Sequence, residues 1–289
     1  MLSYQHAYHA GGPADLHKHA ALAALLALLA RQGRPLTYME SHAGRGVYDL
    51  SGPEAAKTGE AARGIARLTP SGPFAEALAK VRKRFGPSAY PGSPLVARAL
   101  LRPGDRMLLC ELHPAEHAAL RAAMHRSPPG ARYEVHRRDG HEALPALCPP
   151  EPRAGLALLD PSYEVKTEYA ATARTAAALR RRWPEGRVLI WYPLLPEARH
   201  TALVGPLRRA EPGALVDEAP FAERPPRGMT GSGLILLNPP PGAAEALAEA
   251  RAACAPVLLP PEAPRPPEPP PRAAGTLGHR RPATDGKPS

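Results

Sequence analysis

Gly155-Leu156-Ala157-Leu158-Leu159-Asp160-Pro161-Ser162-Tyr163 decides the fold. Five residues without a polar side chain run into an acid, and the proline after it has no N–H to continue a hydrogen-bonded ladder. A short apolar run closed in this way reads as a strand buried on both faces, which is the environment of a parallel sheet covered by helices. Arg187 to Tyr192 (RVLIWY) repeats the pattern. Working outward, Leu36–Glu40, Arg106–Glu111, Arg132–Val135, Ala214–Ala219 and Gly233–Asn238 read as further strands. Helical patterns lie between them, at Ala14–Ala30, Pro114–His125, Tyr169–Trp183, Pro196–Ala210 and Ala243–Cys254. Strands alternating with helices at this spacing predict an α/β fold with a mainly parallel sheet.

Two segments break the rhythm. Tyr48 to Pro94 offers no strand, only helices near Glu54–Leu68 and Phe74–Phe85, and reads as a helical insertion over about 52–92. Its second helix ends in Lys80-Val81-Arg82-Lys83-Arg84, either a solvated face or a basic lid over a nucleic-acid groove. The other segment is 256–289, with 11 prolines in 34 residues, which reads as a disordered Pro-rich tail after a single domain over 1–255.

Composition narrows the function. The chain has 289 residues, 44% of them hydrophobic, enough for a sizeable core, so general disorder is excluded. Three cysteines without metal-type spacing argue against a disulfide framework or a cysteine zinc site. No apolar run reaches the roughly 18 residues of a membrane helix, and no signal segment is apparent, so a cytoplasmic protein is expected. The net charge of +10 points to a polyanionic partner such as nucleic acid. Arginine supplies 31 of the 37 basic residues, a bias that GC-rich coding also produces.

Polar residues recur where strands end. Glu40-Ser41-His42-Ala43-Gly44-Arg45-Gly46 places a glycine turn after one strand, and the two glycines allow a ligand close to the backbone. Glu111 ends the next strand, where an acid can grip ribose hydroxyls, and Asp139-Gly140 follows the third. The missing third glycine argues against a nicotinamide enzyme, and there is no phosphate-binding P-loop. The series suits S-adenosylmethionine better than a nucleotide phosphate. Asp160-Pro161-Ser162-Tyr163 then supplies acceptors for an exocyclic amine and an aromatic ring to stack on its base. Asn238-Pro239-Pro240-Pro241 is a decoy without the aromatic. The early histidines, His6, His9, His17, His19 and His42, are expected to be surface or hydrogen-bonding residues, with no metal site.

Several segments together resemble the ribosomal large subunit methyltransferase J family. They are Met1–Gly11, Ala14-Asp15 with Lys18-His19, Ser41–Gly44, Tyr90–Pro94, Glu111–Pro114, Asp160–Glu164 and Arg227–Gly233. The resemblance implies a class I, Rossmann-like methyltransferase that methylates N6 of an adenosine in 23S ribosomal RNA with S-adenosyl-L-methionine, expected to act as a monomer without a metal. It implies that His19, His42, Ser93, Glu111, Asp139, Gly140 and Asp160 bind cofactor, with Asp160 also catalytic. Tyr4, His6 and Lys18 would lie on the substrate side, and Tyr163 would stack on the base. The usual signature is Asp-Pro-Pro-aromatic, and here its third place is Ser162. A DNA adenine methyltransferase, or an RNA-binding protein with a methyltransferase-like fold and no activity, are the alternative readings.

Overall fold

A computed structural model describes residues 6–223 and 228–259. Tyr4, Arg227 and the chain from Pro260 onward lie outside the described residues, and so does most of the expected tail. The elements in chain order are α1 (Pro13–Ala30), β1 (Thr37–Glu40), β2 (Val47–Asp49), α2 (Pro53–Thr58), α3 (Glu60–Arg63), α4 (Gly72–Phe85), β3 (Ala89–Pro91), α5 (Ser93–Leu100), β4 (Arg106–Cys110), α6 (Pro114–Arg126), β5 (Arg132–His136), α7 (Gly140–Ala146), β6 (Gly155–Leu159), α8 (Thr167–Arg182), β7 (Arg187–Leu194), α9 (Thr201–Ala210), β8 (Leu215–Pro220), β9 (Gly231–Leu237) and α10 (Ala243–Ala252). Seven strands form one sheet in the order β5-β4-β1-β6-β7-β9-β8. Neighbours are parallel except at β9, which runs antiparallel to β7 and β8.

β6 is buried along its whole length, as its unbroken apolar run requires. It pairs with β1, Glu40 lying opposite Leu158, and β1 pairs with β4, Glu40 lying opposite Leu109. This register brings the carboxyl ends of four strands to one edge, where open α/β sheets bind ligands. Among the described residues, no helix is long and apolar enough to cross a membrane.

Two expectations need correction, and one open choice is narrowed. The insertion is not purely helical, because β2 and β3 pair antiparallel, with Tyr48 opposite Tyr90, and tie its two ends together. Three-residue strands carry too little periodicity to be recognised from sequence. The basic run at the end of α4 is a solvated face, with Lys80, Lys83 and Arg84 exposed, and three of its cations also reach carbonyls: Lys80 that of Ala99 at 2.8 Å, Arg82 that of Ala89 at 3.4 Å and Arg84 that of Arg126 at 2.5 Å. The folded body also continues past 256. Val257 and Leu258 are buried, Leu258 bridges to Phe221, and the Leu259 N–H donates to Pro220. Two apolar side chains were enough to hold these residues against β8 despite the prolines around them.

Candidate active site

The glycine turn after β1 forms as its residues demand. Gly44 and Gly46 have φ of 59° and 81°, a region where a Cβ is strained. A side chain on Gly44 would also come within 2.7 Å of the Tyr48 hydroxyl. Glu111, just past β4, locks this turn: one carboxylate oxygen accepts from the Gly44 N–H and the other from the His113 N–H, both at 2.8 Å. Burial pushes its pKa up while those two N–H groups draw it down. Arg45, the one cation of the turn, is taken by a two-pronged pair with Glu116 at 3.0 and 2.7 Å.

Asp139 caps α7, accepting from the His141 N–H at 2.8 Å. Gly140 packs so closely that a Cβ there would overlap the Ser41 carbonyl. His42 is held beside the Ser41 hydroxyl at 2.8 Å, and burial lowers its pKa to about 3. His19 lies 3.0 Å from the Tyr90 hydroxyl and is likewise lowered by burial to about 3. Ser93 donates to Glu40, a carboxyl that also accepts from Tyr38 at 2.9 Å and that burial raises to about 8.

All seven expected cofactor residues line one cleft: His19, His42, Ser93, Glu111, Asp139, Gly140 and Asp160. A second cavity adjoins it and is walled by Pro161, Tyr163, Trp191 and Met229. His6, Lys18, Asp160 and Ser162 line both. At this junction the Lys18 ammonium lies 2.6 Å from Asp160 and 3.2 Å from Asp15, and Asp15 in turn lies 2.9 Å from His6. Burial opposes the Asp15 charge, but His6 and Lys18 outweigh it and hold its pKa well below the usual range. Asp160 is raised by burial, against the pull of Lys18.

Tyr163 departs from the expected geometry. Its ring is buried against Tyr169, centroids 4.5 Å apart, and its hydroxyl donates to the Trp191 carbonyl at 2.8 Å. It forms part of the cavity wall rather than a free ring standing over a base. Trp191, which sequence reading took only as strand, lines the same cavity with its Nε1–H fixed by Ser232 at 2.9 Å and the Lys18 ammonium 5.6 Å from its ring. No spacing rule could have assigned it, because in a fully buried strand both faces look alike. Asn238 sits at the opposite end of the sheet, donating to the Gly186 carbonyl before β7 at 3.0 Å, far from these cavities.

The profile of a family described as ribosomal RNA large subunit methyltransferase D, RlmJ, matches residues 33–263. The chain belongs to the RlmJ family. It is 37% identical to ribosomal RNA large subunit methyltransferase J of Escherichia coli over 249 residues, 83% of this chain and 88% of that protein. The protein of the same name from Haemophilus influenzae is 35% identical over 251 residues, with the same coverage. A crystal structure of a Legionella pneumophila protein superposes with a TM-score of 0.74 at 33% identity, over 86% of this chain and 95% of that one. The sheet order and the shared edge are therefore those of a Rossmann-like methyltransferase within the RlmJ family.

Proposed function

We propose that this protein transfers a methyl group from S-adenosyl-L-methionine to N6 of an adenosine in 23S ribosomal RNA, in the cytoplasm. The observation that carries the reading is the junction of two cavities at Asp160, one able to hold a nucleoside cofactor and the other a base. Membership of the RlmJ family supports ribosomal RNA as the substrate.

The cleft fits the cofactor. Gly44 and Gly140 line it as bare backbone, since a Cβ would collide with the Tyr48 hydroxyl at the first and the Ser41 backbone at the second, and the Glu111 carboxylate is fixed at its edge by two N–H groups. Glu111 would hold the ribose hydroxyls, Asp139 and Gly140 the base, and His19 and Ser93 the amino-acid end. When bound, S-adenosyl-L-methionine supplies an electrophilic methyl group on a sulfonium.

The remaining work falls to the protein. An adenine amine is a weak nucleophile because its lone pair is delocalised into the ring. Asp160 and the Pro161 carbonyl accept hydrogen bonds from N6–H and so favour the lone pair that faces the methyl group. Lys18 orients the Asp160 carboxylate and helps keep it ionised where burial would protonate it. Trp191 and Tyr163 wall the base cavity and exclude water. Alignment of amine and methyl then supplies much of the acceleration; N6 would shed one proton toward Asp160 and solvent as it gains the methyl group, with S-adenosylhomocysteine as the second product. A target base in a helix must first leave its stack, at a cost of a few kcal/mol, which contacts to the RNA backbone can offset.

The decisive experiment is transfer of a tritiated methyl group to ribosomal RNA from cells lacking this protein, followed by nucleoside analysis. N6-methyladenosine in the 23S fraction is expected. Labelling of DNA in preference to RNA, or no labelling at all, would overturn the proposal. A further expectation concerns Glu111→Ala. Losing a charge-assisted grip worth about 1.5–3 kcal/mol should weaken cofactor binding on the order of tenfold or more. Calorimetry giving wild-type affinity would remove Glu111 from the site.

A further inference from the structure

The far end of the cofactor cleft holds a buried polar atom with no task so far. His141, the second residue of α7, lines that cleft. Its Nδ1 lies 3.0 Å from the Thr175 hydroxyl of α8, and its ring meets that of His42 edge-on, centroids 5.1 Å apart. These two contacts fix the imidazole. Its Nε2 is shielded from solvent and has no hydrogen-bond partner among the described residues. Native structures leave few buried polar atoms unpaired, and an unpaired one beside a cavity points to something that binds there.

The sheet indicates which part of a ligand reaches it. Asp160 follows β6, the glycine turn follows β1, Glu111 follows β4, and Asp139, Gly140 and His141 follow β5. Strands stand about 4.8 Å apart, so this edge runs about 14 Å from Asp160 to His141. A cofactor whose methyl group reacts at Asp160 and whose ribose lies at Glu111 must place its base at the β5 end.

Building on the reading that S-adenosyl-L-methionine occupies this cleft, we propose that His141 Nε2 hydrogen-bonds the edge of the cofactor's adenine ring and helps select adenine over other bases. Burial lowers the pKa of this histidine, so its ring is neutral and Nε2 serves as donor or acceptor according to the tautomer that Thr175 sets. An adenine edge offers both an amine donor and ring-nitrogen acceptors.

Calorimetry on the full chain with S-adenosylhomocysteine tests this without any turnover. His141→Phe keeps a ring of similar size and loses Nε2, and its affinity should fall about three- to tenfold. His141→Gln, which keeps a polar group, should fall less. The same titrations with S-inosylhomocysteine, whose base carries a carbonyl in place of the amine, should show a smaller preference for adenine in His141→Phe than in the wild type. Wild-type affinity in both variants, with unliganded melting temperatures unchanged, would overturn the proposal. Equal weakening toward the two nucleosides would also overturn it. A wild-type protein that binds no S-adenosylhomocysteine would instead overturn the cofactor reading itself, and this inference with it.

Discussion

Asp160→Ala is expected to lower methyl transfer by about a hundredfold or more while leaving RNA affinity near that of the wild type. The magnitude follows from removing a preorganised polar group from the reacting atoms, an effect typically worth about 10²–10³ in rate. RNA binding should persist because phosphate contacts, distributed over the basic surface, dominate affinity. Asp160→Asn keeps the shape and one acceptor but not the charge, so its activity should lie between wild type and alanine. The Lys18 contact sharpens the expectation. Lys18 lies against both Asp160 and Asp15, so it keeps one carboxylate partner when Asp160 is lost, and the variant should fold. Single-turnover rates at saturating cofactor, with filter binding of the same RNA, separate these effects. A folded alanine variant that methylates at the wild-type rate would show that the active site lies elsewhere.

Acidification from pH 7 to pH 5 is expected to destabilise the protein by about 3 kcal/mol. Burial holds His17, His19 and His42 at about 3, against an ordinary value of 6.5. His17 remains a neutral ring although it touches Asp217 at 3.1 Å, because Arg251 already pairs with that carboxylate. A group with a depressed folded pKa that must stay neutral costs stability once the unfolded chain can take up the proton. Below 6.5 the unfolded state therefore binds more protons, and stability falls with pH until the folded groups titrate near 3. Each histidine contributes about 2 kcal/mol at pH 5, at about 1.4 kcal/mol per pKa unit. Glu40 acts in the opposite sense. Its folded pKa of about 8 lies above the ordinary 4.5, so the folded state holds the extra proton and gains about 2.5 kcal/mol over the same interval. The net loss is a large part of the 5–15 kcal/mol typical of a folded protein, and the melting temperature should drop on the order of 10 °C. Thermal melts at the two pH values check this, and equal midpoints would refute it.

The cleft was readable as a series of polar residues at strand ends, and the structure brings its members together for a simple reason. In parallel strands the carboxyl ends share one edge, so Ser41, Glu111, Asp139 and Asp160 become neighbours although they span 120 residues of chain. Lys18 and His6 came from the family resemblance rather than from any pattern, and their link through Asp15 to Asp160 was not foreseen. An ion pair between residues 142 apart leaves no trace in local spacing.

The α/β alternation, the buried central strands, the glycine turn and the acids at the ends of β1, β4, β5 and β6 are legible in the chain itself. These features depend on neighbours within a few residues: apolar runs, proline's missing N–H, and glycine's freedom at positive φ. The folded structure adds that β2 and β3 pair across the insertion and that the Tyr163 ring is built into a wall. It alone revealed that Trp191 faces the second cavity and that His141 Nε2 has no hydrogen-bond partner among the described residues in the first. Each of these depends on which distant surface packs against a side chain. Burial of that kind follows from the sum of contacts across the whole sheet, and no local period in the chain encodes it.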